Sequence, residues 1–520
     1  MIIQDQSATL AFLMDPASYE TPVGRVTTTE THISVIVFVG QRVFKLKRAV
    51  RLPYVDFSTV AQRLAACRRE LDLNRRTAPA LYVAVRRITR EADGRLLFDG
   101  QGELVDAVVE MVRFDEDTLL DRMATRGQLT PALMTELART VAHFHANATI
   151  DHCGAGAVRV SMVLDGNEQA FATTNIFAPA MILKLTSALR MALDRHETLL
   201  NARAQAGKVR RCHGDLHLRN ICLVDGAPTL FDCIEFDDAI ATGDVLSDLA
   251  FLLMDLWHRG LESDANLVFN RYLDERDEID GLALVPFFMA VRASIRAHVT
   301  ATQAEQEAGK RREELVCEAQ AYVALALRLL APAPARLVAV GGLSGTGKST
   351  IAAAVAGKVG PAPGARVLAS DRIRKHLHGV SAETPLSAQA YLPQTSERVY
   401  AVLTRNARAV LANGHAVLAD AVFDRLADRE RIEQTALGAG VSFMGFWLHA
   451  RPDALFARVD ARRGDASDAT VEVVRAQLAR DAGPVNWMEI ETGGAVDDVV
   501  ARVADALVRK ASQVRIISKY

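Results

Sequence analysis

The sequence carries almost no net charge: 61 lysines and arginines stand against 63 aspartates and glutamates, leaving -2 over 520 residues. Nucleic-acid binders usually show a basic field, so nucleic acid is not an expected partner, although a local basic cleft for phosphates fits this balance. Cysteine is scarce. The six present (Cys67, Cys153, Cys212, Cys222, Cys233, Cys317) form no CxxC pair, which removes metal spacing, and a disulfide framework is unusual in a chain this long. Reduced, mostly buried thiols are expected. The N-terminus, MIIQDQSATLAFLMD, lacks the basic start and long apolar run of a secretory signal. No run approaches the roughly 18 apolar residues of a membrane span. These absences predict a cytoplasmic protein with no membrane partner. Internal repeats and low-complexity tracts are also missing.

At this length one hydrophobic core is not enough, and at least two domains are expected. The seam is Ala331-Pro-Ala-Pro-Ala335, where alternating prolines stop the helix suggested by Glu313 to Leu330 and favour an extended linker. Residues 1–330 form one predicted domain and 336–520 the other. In the first, residues 32–48 read as two strands around Gly40. A helix follows over 59–76, then strands over 82–89 and 104–114 separated by a turn at Asp93-Gly94. From Pro131 to Asn147 the pattern is helical, with Leu133, Leu137, Val141 and Phe144 on one face. Helices then dominate to residue 330, interrupted by a β-rich island at 221–236. A small lobe (about 25–113) followed by a larger helical lobe (about 114–330) is the coarse shape of a kinase.

Gly342-Leu-Ser344-Gly345-Thr346-Gly347-Lys348-Ser349 satisfies GxxxxGK[ST]. Its glycines let successive N–H groups turn inward around the β- and γ-phosphates, Lys348 reaches phosphate oxygens, and the Ser349 hydroxyl ligates Mg²⁺. A strand (Leu337 to Val340) precedes the loop and a helix (Thr350 to Lys358) follows, offering its N-terminal dipole to the anion. A purine nucleoside triphosphate, ATP or GTP, is therefore expected here. The next strand, Ala365 to Ala369, ends in Ser370-Asp371-Arg-Ile-Arg374. Asp371 stands where an acceptor hydroxyl is deprotonated, and Arg374 where the acceptor or its phosphate is steadied. Val417-Leu-Ala-Asp420 is an apolar strand ending in an acid, the pattern that holds Mg²⁺ through water. Arg458, Arg462 and Arg463, before Gly464-Asp-Ala-Ser-Asp468, are either a lid over the phosphates or a solvated helix face.

His213-Gly-Asp215-Leu-His-Leu-Arg-Asn220 has the form HxDxxxxN. Phosphoryl transfer needs an Asp to align the attacking hydroxyl and an Asn five residues on to ligate a metal. A third acid should follow on a hairpin. Asp232, after the turn at Asp225-Gly226, supplies it, with Glu235 as the alternative. The small lobe should offer a phosphate lysine and a glutamate to hold it. Lys45 and Lys47 fall on one face of their strand; Lys45 is preferred, because Val43 would then line the adenine pocket. Glu70 is the best glutamate, a surface role being the alternative. The segment Val109-Glu110-Met111-Val112 is the candidate hinge for adenine. A GxGxxG loop is lacking between 30 and 45, where Gly40 stands alone. The acidic stretch Asp274 to Asp280 reads as a solvated helix face rather than a substrate attractor.

On HGDLHLRN, TLFD and Gly243-Asp-Val-Leu-Ser-Asp248, most of residues 30–300 resembles the aminoglycoside phosphotransferase and choline kinase family. The resemblance implies that Asp215 is the catalytic base, that Asn220 and Asp232 are metal ligands, and that His213 braces the loop. On GLSGTGKST, SDRIRK, VLAD and the arginine-rich lid, residues 336–510 resemble P-loop kinases of the polynucleotide kinase, gluconate kinase and zeta-toxin type. That implies Asp371 as general base. The two halves together resemble bacterial bifunctional aminoglycoside phosphotransferase/ATP-binding fusions. The implied fold is two domains: a kinase-like bilobal α+β domain, then an α/β P-loop domain with a parallel sheet. The implied activity is Mg²⁺-dependent transfer from ATP to small-molecule hydroxyls. Two alternatives stay open: one half serves as a nucleotide sensor or pseudokinase, or the C-terminal half acts on polynucleotide or toxin-type substrates. Neither the acceptors nor the oligomeric state is specified.

Overall fold

A computed structural model describes residues 4–19, 24–31, 33–52, 55–461 and 467–517. Contacts divide the chain into two units. The first contains Met1–Thr173 and Leu193–Asp255; the second contains Thr174–Ala192 and Leu256–Tyr520.

The first unit opens on a six-stranded antiparallel sheet in the order β1 (Val26–Glu30), β2 (Ser34–Val39), β3 (Arg42–Lys47), β6 (Glu103–Val112), β4 (Tyr82–Arg90), β5 (Leu96–Phe98). Two residues, Gly40 and Gln41, join β2 to β3, and Gly40 has a φ of 56° that the tight reversal requires. Strand β5 follows the Asp93-Gly94 turn and was not expected from the sequence. Helix α1 (Val60–Asn74) starts at a capping box between Thr59 and Gln62. Its buried face carries Arg63, Cys67, Glu70 and Asn74, so three of four inward positions are polar. Arg63 is matched by Asp106 on β6, with Nε and Nη2 donating at 2.8 and 3.0 Å.

The larger lobe begins with α2 (Pro131–Asn147), which buries Leu137, Val141 and Phe144. A hairpin of β7 (Ile221–Val224) and β8 (Ala227–Leu230) follows the HGDLHLRN segment. Helix α3 (Val245–His258) comes next. A two-stranded pairing of Val209–Arg211 with Thr242–Asp244 adds sheet that the sequence did not announce.

The second unit is built on a five-stranded, all-parallel sheet. Its order is β10 (Arg366–Ala369), β11 (Val417–Asp420), β9 (Arg336–Gly342), β12 (Ser442–His449), β13 (Met488–Glu491). Sheets covered on both faces need near-continuous apolar strands, and all four residues of β11 and six of the seven in β9 are buried. One face packs Val338, Val340, Leu418 and Phe446 against Ile351 and Val355 of α5 (Lys348–Ala356).

Helix α4 (Glu262–Glu275) and the helices up to Leu329 fall in this unit, although they precede the Ala331–Ala335 linker. The packing division therefore does not coincide with the linker. Two expectations need correcting here. Ile279–Glu305 is long and apolar enough to span a bilayer by length and composition, with mean hydropathy 1.4, whereas no such run was expected. Of that window 67% is buried within the protein, as in a core helix. The 274–280 stretch is also not a solvated face throughout. Glu278 is fully buried, and Asp274 pairs with Arg271, Arg366 and Arg372 at 2.9, 2.8 and 2.9 Å.

Candidate active sites

In the first unit the side chains singled out from sequence converge. Alternation along β3 turns Lys45 and Lys47 to the same side, and both meet Glu70 from α1. Lys45 Nζ lies 2.8 Å from Glu70 and 2.6 Å from Asp232. Lys47, fully buried, pairs with Glu70 and Glu235. Two ammonium groups thus serve three carboxylates. Burial works against the charge of both lysines, but their acidic neighbours outweigh it and raise their pKa values, Lys45's well above the ordinary range. Burial also opposes ionisation of Glu70, yet Lys45 and Lys47 outweigh it and hold this acid at about 2. Glu235 pairs with Lys47; for it burial prevails, with Glu70 adding to it, and the pKa rises.

Asn220 Nδ2 donates to the Asp215 carbonyl and carboxylate, both at 2.9 Å, and His217 Nε2 lies 3.3 Å from the same carboxylate. His213 is fully buried. Its Nδ1 accepts the Asp215 N–H at 3.3 Å while Nε2 sits 2.9 Å from the Phe231 carbonyl, and one neutral tautomer satisfies both. Asp248 receives the N–H groups of His213 and Gly214 at 3.2 and 2.9 Å, plus His145 at 3.1 Å. Asp232 adopts a left-handed φ of 62°, which costs a non-glycine residue energy and is held by its surroundings. Its N–H reaches the Tyr82 hydroxyl at 3.2 Å, and the next N–H, of Cys233, reaches Asn74 at 2.8 Å. Glu110 and Met111 lie inside β6, in register with β3 on one side and β4 on the other, and the Glu110 carboxylate faces Arg86 and Arg42.

In the second unit the C-terminal edge of the parallel sheet gathers the expected groups, the place where open α/β sheets bind ligands. Asp420 pairs in register with Val340, just before the glycine loop, and with Ala369, just before Ser370-Asp371. Gly342 has a φ of 135°, and a Cβ there would sit 2.2 Å from the Leu448 carbonyl. Gly345 and Gly347 are also left-handed, at 88° and 86°. Lys348 Nζ donates to its own loop at the Leu343 carbonyl, 3.0 Å away. Ser349 and Thr350 are exposed in the first turn of α5. Ser344 N–H donates to Gln477 Oε1 at 2.8 Å, from α8 (Val471–Leu478).

Arg458, on α7 (Pro452–Asp460), donates to the carbonyls of Gly345 at 3.4 Å and Thr492 at 2.6 Å, bracing the loop from its carbonyl side. Arg462, Arg463 and Gly464 lie outside the described residues. Arg374, on α6 (Ser370–Leu377), is buried against the Tyr391 ring, 4.7 Å from its centroid, and donates to the Ala390 carbonyl at 2.7 Å. Asp468 closes a neighbouring node, accepting from Lys375, Tyr391 and the Leu386 N–H at 2.6, 2.7 and 2.9 Å.

Comparison with known proteins finds two family matches along the chain. The model of the phosphotransferase enzyme family matches residues 42–282, and that of an AAA domain family matches 337–484. Uncharacterized protein Rv2004c of Mycobacterium tuberculosis is 31% identical over 474 residues, covering 89% of this chain and 92% of its own. The chain belongs to the family that fuses a phosphotransferase-type kinase domain to a P-loop kinase domain. Among solved structures, a gluconokinase from Sinorhizobium meliloti 1021 is 21% identical, with 36% of this chain and 99% of that chain covered at a TM-score of 0.26. A choline kinase from Cryptosporidium parvum is 11% identical, with 61% and 94% covered at 0.38. Members of this family have two kinase-type domains, and the chemistry that such domains support is phosphoryl transfer on bound nucleotide.

Both halves fit a hard cation. Asn220 turns its Nδ2 to Asp215, and just past the hairpin, next to Phe231 whose N–H donates to the Asn220 carbonyl at 3.0 Å, the Asp232 side chain is 42% exposed. In the P-loop half the hydroxyl of Ser349 and the carboxylate of Asp420 are likewise oxygen donors, the type magnesium prefers. Sequence reasoning missed Asn74, Tyr82, Asp255 and Gln477. Asp255, which accepts the Leu218 N–H at 3.0 Å, follows Asp248 by two helical turns on α3, a spacing that could have flagged it. For the other three no local signal exists.

Proposed function

We propose that both halves are ATP- or GTP-dependent phosphotransferases acting on hydroxyl groups of small molecules, one site in each. The observation that carries this reading is the assembled Lys45–Glu70–Asp232 arrangement alongside Asp215 and Asn220, present in a chain that also has a complete phosphate loop. In the first site Lys45, steadied by Glu70, would hold the α- and β-phosphates. Asn220 and Asp232 would hold Mg²⁺, which neutralises charge developing on the transferred group. Asp215 would accept the proton of the attacking hydroxyl, its carboxylate aimed by Asn220 and His217.

In the second site the N–H groups around Gly345, Gly347 and Lys348 would cradle the phosphates. Ser349 and Asp420 would hold the metal, and Asp371 would act as base. Arg374, buried against Tyr391, would orient the acceptor segment rather than touch a phosphate, and Arg458 would stiffen the loop. We take 1–330 and 336–520 as the modules, joined by the linker at 331–335, and place the protein in the cytoplasm.

The test is a screen of sugars, sugar acids, amino alcohols and nucleosides, reading ATP consumption in wild type, Asp215→Ala and Asp371→Ala. Each substitution should remove one acceptor class. If neither changes any transfer, the reading fails. One feature favours a sensor role for the first half instead: the two-residue β2–β3 turn offers no glycine-rich flap over the phosphates. A first half that binds nucleotide but never turns it over would establish that reading.

A further inference from the structure

Strand β10 is an edge strand, paired only with β11. A sheet edge buried without partners leaves N–H and C=O groups unsatisfied, at a cost of kilocalories each. Here α4 supplies the missing ladder from asparagine side chains. Asn270 Oδ1 accepts the Val367 N–H at 2.7 Å, while Asn270 and Asn266 Nδ2 both donate to the Ala365 carbonyl at 3.1 Å. Asn266 Nδ2 also reaches the Pro363 carbonyl at 3.1 Å. Both asparagines are buried.

The clamp continues past the strand. Arg366 donates to the Asn270 carbonyl at 3.0 Å and pairs with Asp274 at 2.8 Å. Asp274 also holds Arg372, the residue after Asp371, at 2.9 Å. Gly364, with a φ of 101°, is hemmed in on two sides: a Cβ there would lie 2.4 Å from the Ala356 carbonyl and 2.9 Å from Asn266 Nδ2. His415, packed on Phe269 of α4, faces the carbonyl of that same glycine at 2.9 Å.

We infer that α4 is a working part of the P-loop kinase: Asn270 and Asp274 are positioning residues that fix β10 and the start of α6, and through them Asp371. This rests on the reading of Asp371 as base. It also makes the P-loop kinase larger than its family match, because α4 lies upstream of the linker, inside the segment matched by the phosphotransferase family. A displacement of the reacting group by about 1 Å costs on the order of a hundredfold in rate, so loss of either residue should act on turnover more than on nucleotide affinity.

The experiment uses the full chain with Asp215→Ala, so that only the P-loop half turns over, and MgATP hydrolysis as the probe. Asn270→Ala and Asp274→Ala should each lower kcat roughly ten- to a hundredfold, with KM for ATP unchanged. Asn270→Asp keeps the oxygen that receives Val367 N–H but sets a second oxygen against the Ala365 carbonyl, so it should restore Val367 protection in part and not the full rate. Hydrogen exchange, read without nucleotide, should show the Val367 amide opening roughly tenfold faster in Asn270→Ala while β11 stays protected.

Unchanged kcat in both alanine variants overturns the proposal. So does loss of β11 protection together with a raised KM, which would mark general unfolding. If Asp371→Ala itself leaves kcat intact, the base assignment falls and the proposal with it. If Asp371→Ala abolishes turnover and the α4 variants do not, the proposal alone falls.

Discussion

The two candidate sites would reach the task proposed for them by opposite means. The first is assembled from side-chain charge, mostly buried: two lysines and the carboxylates of Glu70 and Glu235, with the half-exposed Asp232, supplied by β3, α1 and the segment after β8. The second is a loop of backbone N–H groups shaped by left-handed glycines, with its main cation, Lys348, donating to its own loop. A site made of buried charges stays ordered only while every charge has its counterpart, whereas a backbone nest is insensitive to most side-chain changes. The first should therefore be the fragile one.

The two proposed bases give the largest expected effects. Asp215→Ala should lower one transfer by roughly 10²–10⁴-fold and Asp371→Ala the other by a similar factor. Initial rates with the two acceptors measure both, and loss of both transfers in a single variant would break the idea of separate sites. Next comes Lys47→Met, which removes the ion-pair partner of Glu235. It should cost about 3–5 kcal/mol in denaturant unfolding of the first unit. Adding Glu235→Gln should recover part of that, and no recovery would mean that Lys47 acts through packing alone.

Acid weakens both units, but in different pH windows. His415 is held neutral by burial at about 4, and its hydrogen bond to Gly364 only partly offsets that. Its folded pKa lies below the ordinary 6.5, so its contribution is complete above that value and is lost as pH falls towards 4. This amounts to about 3 kcal/mol. Glu70, held at about 2 against burial by its two lysines, contributes fully above about 4.5 and loses that contribution only as pH falls towards 2. Hydrogen exchange between pH 7 and 4.5 should therefore open the β10 edge before α1. The reverse order would contradict the assignment of these groups. The smallest effect belongs to Gln477→Ala. Freeing the Ser344 N–H should change MgATP affinity at the P-loop by a few-fold, about 1 kcal/mol, and leave the first site alone.

The family and the two-part fold were legible because each rests on a local motif, HxDxxxxN and GxxxxGKS, in a setting of strands and turns that short-range patterning reveals. Lys45 and Lys47 could not be told apart by strand alternation, since they share a face. The difference lies in Asp232, 187 residues from Lys45, which contacts Lys45, while Glu235 contacts Lys47. Arg458 sits on a helix beside the loop as expected, but only the fold shows that its guanidinium meets carbonyls. The clamp on β10 was invisible for the same reason. Asn266 and Asn270 read as ordinary helix residues until the strand about a hundred positions later is laid beside them.

The central claim, two working nucleotide sites in one chain, is tested most directly by the stoichiometry of binding of a non-hydrolysable ATP analogue with Mg²⁺, measured calorimetrically. The account predicts two per chain in wild type, one in Lys348→Ala and one in Lys45→Ala. A wild-type value of one, lost entirely in Lys348→Ala and untouched in Lys45→Ala, would contradict it.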